Sequence, residues 1–70
     1  MNWVDTFEFR RTDRHSDWRL VQAPDWAPKD GWRYSPEQWI VVLRDRGYVV
    51  VRDVVSGGTI RTLVVQEVAS

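Results

Sequence analysis

The 70-residue chain contains no cysteine. That rules out disulfide staples and thiolate metal sites, and it fits a reducing compartment. Histidine and lysine are nearly absent too, with one of each, His15 and Lys29. A metal centre would need two or three further ligands beside His15, and no second His or Cys supplies them. We therefore expect no metal and no cofactor. The longest apolar run, residues 39–43, is five residues, far short of the ~20 that a membrane helix requires. No charged-then-apolar leader opens the chain, so a cytoplasmic location is expected. Charge of one sign is also missing. Ten basic residues balance ten acidic ones, for a net charge of zero. A dedicated binder of nucleic acid or of anionic membranes normally carries a clear basic excess.

Aromatic residues and arginine are plentiful. Five Trp, two Tyr and two Phe stand in a chain of single-domain length. A chain this short buries only about 60% of its unfolded surface. Each buried aromatic removes roughly 150–250 Å² from water, so these residues supply a large share of a small core. Nine of the ten basic residues are Arg. Its planar fork binds carboxylates in bidentate fashion and stacks on rings, which makes it the better interface cation. Codon usage in a GC-rich genome gives the same ratio. Met1 and the length suggest a complete small protein, and no linker, repeat or low-complexity tract divides residues 1–70.

The clearest start and stop signals lie in residues 35–55. Ser35 is placed as an N-cap, Pro36 at the first helical position and Glu37 near the positive end of the helix dipole. The helix is expected over 36–46, with Gly47 in the left-handed C-cap position and Tyr48 packing back. Trp39, Ile40 and Leu43 share one face, with Val42 beside them. The β-branched run Ile40-Val41-Val42 also permits a strand over 38–44 with a tight turn at Asp45-Arg46-Gly47.

Residues 2–10 alternate, with Trp3, Phe7 and Phe9 on one side, and read as a half-buried strand. Residues 11–17 hold no apolar side chain and read as an exposed connection. A short second strand follows over 18–23, ended by Pro24. Residues 24–34 carry two prolines and one glycine, which exclude a regular element across them. Trp26, Trp32 and Tyr34 are nevertheless too apolar for a disordered linker, so a compact irregular loop is expected. Residues 48–55 form the best strand, valine on both faces, and such a strand is expected to be covered on both sides or to lie mid-sheet. Ser56-Gly57-Gly58-Thr59 marks a hairpin, and residues 60–68 return as the last strand. Its alternation slips between Thr62 and Val64, which a bulge or an edge position would explain.

The expected fold is α+β. A small antiparallel sheet of about four strands, in the order β-β-α-β-β, packs on one helix. Its inner residues are Trp3, Phe7, Phe9, Leu20, Trp39, Ile40, Leu43, Val50 and Val54. The alternative is an all-β, five-stranded SH3-like barrel with 38–44 as a strand.

The motifs give little chemistry. Asp13, His15 and Ser16 are residue types of nucleophilic catalysis, but adjacency on one polar turn supplies neither burial nor an oxyanion hole. Gly57-Gly58 lacks the lysine and following helix of a phosphate loop. We expect no enzymatic activity. The one constellation is basic and aromatic. Arg10, Arg11, Arg14 and Arg19 surround the first hairpin connection, and Trp18, Trp26, Trp32, Arg33 and Tyr34 lie near in sequence. Trp, Tyr and Arg are enriched at binding hot spots. The plain alternative is a core of Trp with a solvated Arg rim paired to Asp13, Asp17, Asp25 and Asp30. The expected function is a small stand-alone protein-binding module, of the size of adaptors and of inhibitors carried by phages or mobile elements. Its expected contact residues are Arg11, Arg14, Arg19, Trp26, Trp32, Arg33 and Tyr34. The second reading is nucleic-acid binding by Arg and stacked aromatics, set back by the interleaved aspartates.

Overall fold

The computed structural model describes residues 4–68. Four strands and one helix follow in the order β1 (Val4–Arg10), β2 (Arg19–Gln22), α1 (Pro36–Asp45), β3 (Tyr48–Ser56) and β4 (Ile60–Glu67). The sheet is antiparallel throughout, in the spatial order β2-β1-β4-β3. This is the small α+β fold, and residues 38–44 are helical, which removes the barrel. Trp3, expected in the core, lies outside the described residues.

Local chemistry sets both ends of α1. Ser35 Oγ accepts from Gln38 N at 3.2 Å, and Gln38 Oε1 accepts from Ser35 N at 2.8 Å. This reciprocal capping box satisfies two backbone donors that the helix start leaves without partners. At the far end Gly47 has φ +91°, and its N–H reaches Arg44 O at 3.2 Å. An L side chain rarely adopts that backbone, so glycine stops the helix there.

The helix buries Trp39 and Leu43 completely against Phe7, Phe9, Leu63 and Val65, with Ala27 closing the cluster from the loop. Phe7 and Trp39 meet at 4.8 Å between ring centroids, and Tyr34 stands edge-on to Trp39 at 5.4 Å. The Trp39 Nε1–H has no hydrogen-bond partner. An unmet buried donor costs about 1–3 kcal/mol. Burying a ring of ~150–250 Å² at ~25 cal/mol per Å² contributes about 4–6 kcal/mol, so burial wins.

Two expectations about the last hairpin reverse. β3 is an outer strand, open on one edge, and β4 lies inside between β1 and β3. The pairing of β1 with β4 from Val4↔Gln66 to Arg10↔Ile60 takes up the other side of β4. Valine on both faces of β3 therefore does not mean cover on both faces, and Val49, Val51, Val54 and Val55 are exposed. The irregularity belongs to β3, where the register shifts between Val50 and Arg52. One extra residue at Val51 swaps the faces beyond it. Asp53 then pairs with buried Leu63, and Val54 pairs with Thr62 on the uncovered side. Val54 is consequently 40% exposed and not part of the core. Leu63 and Val65 take its place.

On the covered side of this hairpin Arg61 ties the sheet to the helix. Its Nε and Nη2 donate to the two oxygens of Asp53 at 2.9 and 2.6 Å, and its Nη1 donates to Glu37 Oε1 at 2.9 Å. The Arg61 guanidinium, first through these hydrogen bonds, holds both carboxyls below their ordinary range.

Among the described residues no helix is long and apolar enough to cross a membrane.

Candidate functional site

The connection between β1 and β2 is built on Asp13. Its Oδ1 accepts from His15 N at 2.8 Å and from Ser16 Oγ at 3.0 Å, and Ser16 N donates to Asp13 O at 3.3 Å. Such bonds from an aspartate to the next two residues fix a polar turn. They also hold the Asp13 carboxyl below its ordinary range, the His15 backbone bond most of all. Thr12 and Ser16 close the turn with a 2.7 Å hydroxyl contact. The bond from His15 to Asp13 comes from the backbone, and Ser16 reaches Asp13 directly. The imidazole therefore does not stand between acid and hydroxyl as a catalytic relay requires.

The turn leans on the β3–β4 hairpin. Arg11 N donates to Thr59 O at 3.0 Å, and Arg11 Nε donates to Gly58 O at 2.6 Å. Gly57 and Gly58 have φ of +62° and +75°. Positive φ at both central residues makes Ser56–Thr59 a tight turn, closed by Thr59 N to Ser56 O at 3.2 Å within the three-residue connection of β3 and β4. Gly58 serves a second purpose, because the Arg14 side chain lies across it. A Cβ there would stand 2.9 Å from Arg14 Nε.

Residues 24–34 form a chain of short turns closed by Ala27 N to Pro24 O, Gly31 N to Pro28 O and Tyr34 N to Gly31 O. The last is a single 3-10 turn at Gly31–Arg33. The loop is anchored by its aromatics. Trp26 stacks on Tyr48 at 4.3 Å and donates from Nε1 to Asp5 Oδ2 at 3.2 Å. Gly31 is buried beneath the Trp39 ring. Trp32 points outward, 62% exposed.

These segments enclose an open groove of about 490 Å³, walled by Arg11, Arg14, His15, Asp17, Trp18 and Arg33 and floored by the start of α1. A neighbouring groove of about 500 Å³ holds Arg10 and Arg19 and shares Arg11 as its wall. What holds the arginines is the informative feature. The Arg11 guanidinium lies 4.1 Å over the Trp18 ring, and that of Arg33 lies 5.0 Å from the Trp32 ring. Among the described residues, Arg11, Arg14 and Arg33 form no ion pair, and Asp13, Asp17, Asp25 and Asp30 form none either. The two carboxylates at the groove are Asp17 and Glu37, and Glu37 is already bound by Arg61. A ring face and the Gly58 carbonyl place the Arg11 guanidinium, and a ring face places that of Arg33, which leaves most of their N–H donors unspent.

Of the seven residues expected to bind, the structure brings Arg11, Arg14 and Arg33 to one groove. It puts Arg19 in the next one and sets Trp32 outward on the loop. Trp26 and Tyr34 are half-buried, turned toward Tyr48 and Trp39, and support the loop. Sequence reasoning left Gly58 as a turn residue only, since its role under Arg14 depends on a contact across 44 positions, and it placed Trp18 in the cluster without seeing it as the platform for Arg11.

Among the described residues no cluster of three or more His, Asp or Glu side chains could hold a metal ion. The chain matches no family model, no curated protein and no solved structure.

Proposed function

We propose that the chain is a small protein-binding module of the cytoplasm, without enzymatic activity. It acts through the surface formed by Arg11, Arg14, Arg33 and Trp32, with Arg19 at its margin. One observation carries this reading: three arginines gather at one groove without a carboxylate ion pair, Arg11 held over the Trp18 ring and on the Gly58 carbonyl, Arg33 against the Trp32 ring, and Arg14 laid across Gly58. A solvated rim would have spent them on the aspartates nearby. Arginine and tryptophan held rigid at a surface are hot-spot chemistry, because little conformational freedom is lost when they bind. A role as an adaptor or small inhibitor is consistent with such a surface, and the chain needs no metal or cofactor for it.

The test is affinity capture from a lysate of the organism that makes the protein, with wild type, Arg14→Ala and Trp32→Ala as baits. Both side chains are exposed, so both variants are expected to melt like wild type. Each should recover markedly less of a protein that wild type captures reproducibly. Equal recovery by all three baits would remove the proposed surface.

A further inference from the structure

Resting on that reading, we propose that the segment seated in the Arg11–Arg14–Arg33 groove is an acidic stretch of the partner protein. Its carboxylates take the guanidinium forks, and an apolar neighbour lies on Trp32.

Charge gives the first reason. Three guanidinium groups face one carboxylate, Asp17, that no arginine already neutralises. A groove with a local positive excess in a chain of zero net charge selects anions over neutral segments. Geometry gives the second. Arg11 spends Nε on Gly58 O and lays its ring-like plane on Trp18. Its terminal nitrogens remain as a planar pair, the shape that a carboxylate matches with two parallel hydrogen bonds. The stacking also fixes the plane before binding, so little order has to be created.

The aromatic surfaces decide between an acidic protein and a nucleic acid. Single-stranded nucleic acid needs a row of free ring faces on which bases stack. Here Arg11 occupies the Trp18 face, Tyr48 the Trp26 face, and Tyr34 stands against Trp39. Among the described tryptophans only Trp32 is classed as exposed.

The experiment uses fluorescence anisotropy at low ionic strength with a labelled oligoglutamate peptide, its oligoglutamine counterpart and an oligothymidylate of matching length. Wild type should bind oligoglutamate and not oligoglutamine. Arg14→Gln and Arg33→Gln should each weaken binding about fivefold, and together about 25-fold. The double variant Arg44→Gln/Arg46→Gln removes the same charge from the far end of α1, about 15 Å away along the helix, and should stay within about twofold of wild type. No binding of oligoglutamate, an equal loss with Arg44→Gln/Arg46→Gln, or tighter binding of oligothymidylate would each overturn the proposal. If oligoglutamate fails while Arg14→Ala still loses a captured protein, the binding surface survives and only its acidic specificity falls.

Discussion

Replacing Arg61 by methionine is the sharpest probe of how sheet and helix are joined. Arg61 holds Asp53 through two donors and Glu37 through a third, and its side chain is 13% exposed. Methionine keeps much of the stem and removes all three bonds. Breaking a fully buried pair costs about 3–5 kcal/mol, and an exposed pair is worth at most about 1. Asp53 is 35% exposed and Glu37 is 68% exposed, so water replaces much of what each loses. The expected cost is therefore intermediate, about 2 kcal/mol. A domain of this length has a total stability of roughly 3.5–10 kcal/mol, so the loss is large. It corresponds to a fall of about 8–16 °C in Tm. Thermal and urea melts of Arg61→Met, Asp53→Asn and the double variant give the coupling directly. We expect about 1–2 kcal/mol for Arg61–Asp53 and less than half of that for Arg61–Glu37. Additivity within about 0.5 kcal/mol for Arg61 and Asp53 would refute the reasoning and reduce Arg61 to packing. The same bridge sets an acid limb. Both carboxyls titrate lower in the folded chain than their ordinary values of 3.8 and 4.5. The unfolded chain thus takes up protons first as pH falls. The contribution is complete above about pH 4.5 and is lost as pH drops through the folded values, below 3.8 for Asp53. The gap between wild type and Arg61→Met should be constant from neutral pH down to that window and close beneath it.

Substitutions at three further positions test the local devices. Ser35→Ala removes one half of the capping box and should cost about 1 kcal/mol in a urea melt, while Ser35→Asp should keep most of it; equal losses would show that the cap contributes nothing specific. Gly31→Ala forces a methyl group into the Trp39 ring and should cost about 1–3 kcal/mol with a changed near-ultraviolet tryptophan signal. Gly47→Ala meets open space but sits at φ +91°, so it should cost about 1–2 kcal/mol from backbone strain with that signal unchanged.

The parts of this fold legible in the sequence are those decided within one turn of chain. Ser35, Pro36 and Glu37 announce the helix because a cap and a first turn are decided locally, and the Ser35–Gln38 bonds that complete the cap span only three residues. Gly47 and Gly57-Gly58 announce its end and the hairpin because only their backbones take positive φ cheaply. The strand order was not legible, since it rests on the pairing of β1 with β4 across more than fifty positions. Nothing local in the valine run of β3 tells an outer strand from an inner one. The extra residue at Val51 hid the face of Val54 for the same reason. The site divides in the same way. Arg11, Arg14 and Arg19 cluster on one connection and were visible as a group, whereas the lack of an ion pair from them to Asp13, Asp17, Asp25 or Asp30 was not. Asp13 is drawn instead to the backbone of its own turn.

The proposed binding surface draws on the least regular segment of the chain. A loop of eleven residues without strand or α-helix would ordinarily lose much conformational freedom on binding a partner. Here the freedom is removed beforehand. Trp26 is clamped between Tyr48 and Asp5, Tyr34 stands on Trp39, and Gly31 lies under the same ring. Three of the segment's contacts therefore belong to the core, and the two residues between the last pair of anchors, Trp32 and Arg33, are displayed on a fixed support. The opposite wall is fixed equally, with Arg11 bonded to Gly58 and stacked on Trp18. Both walls depend on aromatics that composition alone would have assigned either to core or to contact. In the folded chain Trp18 serves both purposes, one face given to an arginine and the rest packed against the cluster of Phe7, Phe9 and Trp39. Trp18 thus belongs to the groove as well as to the core.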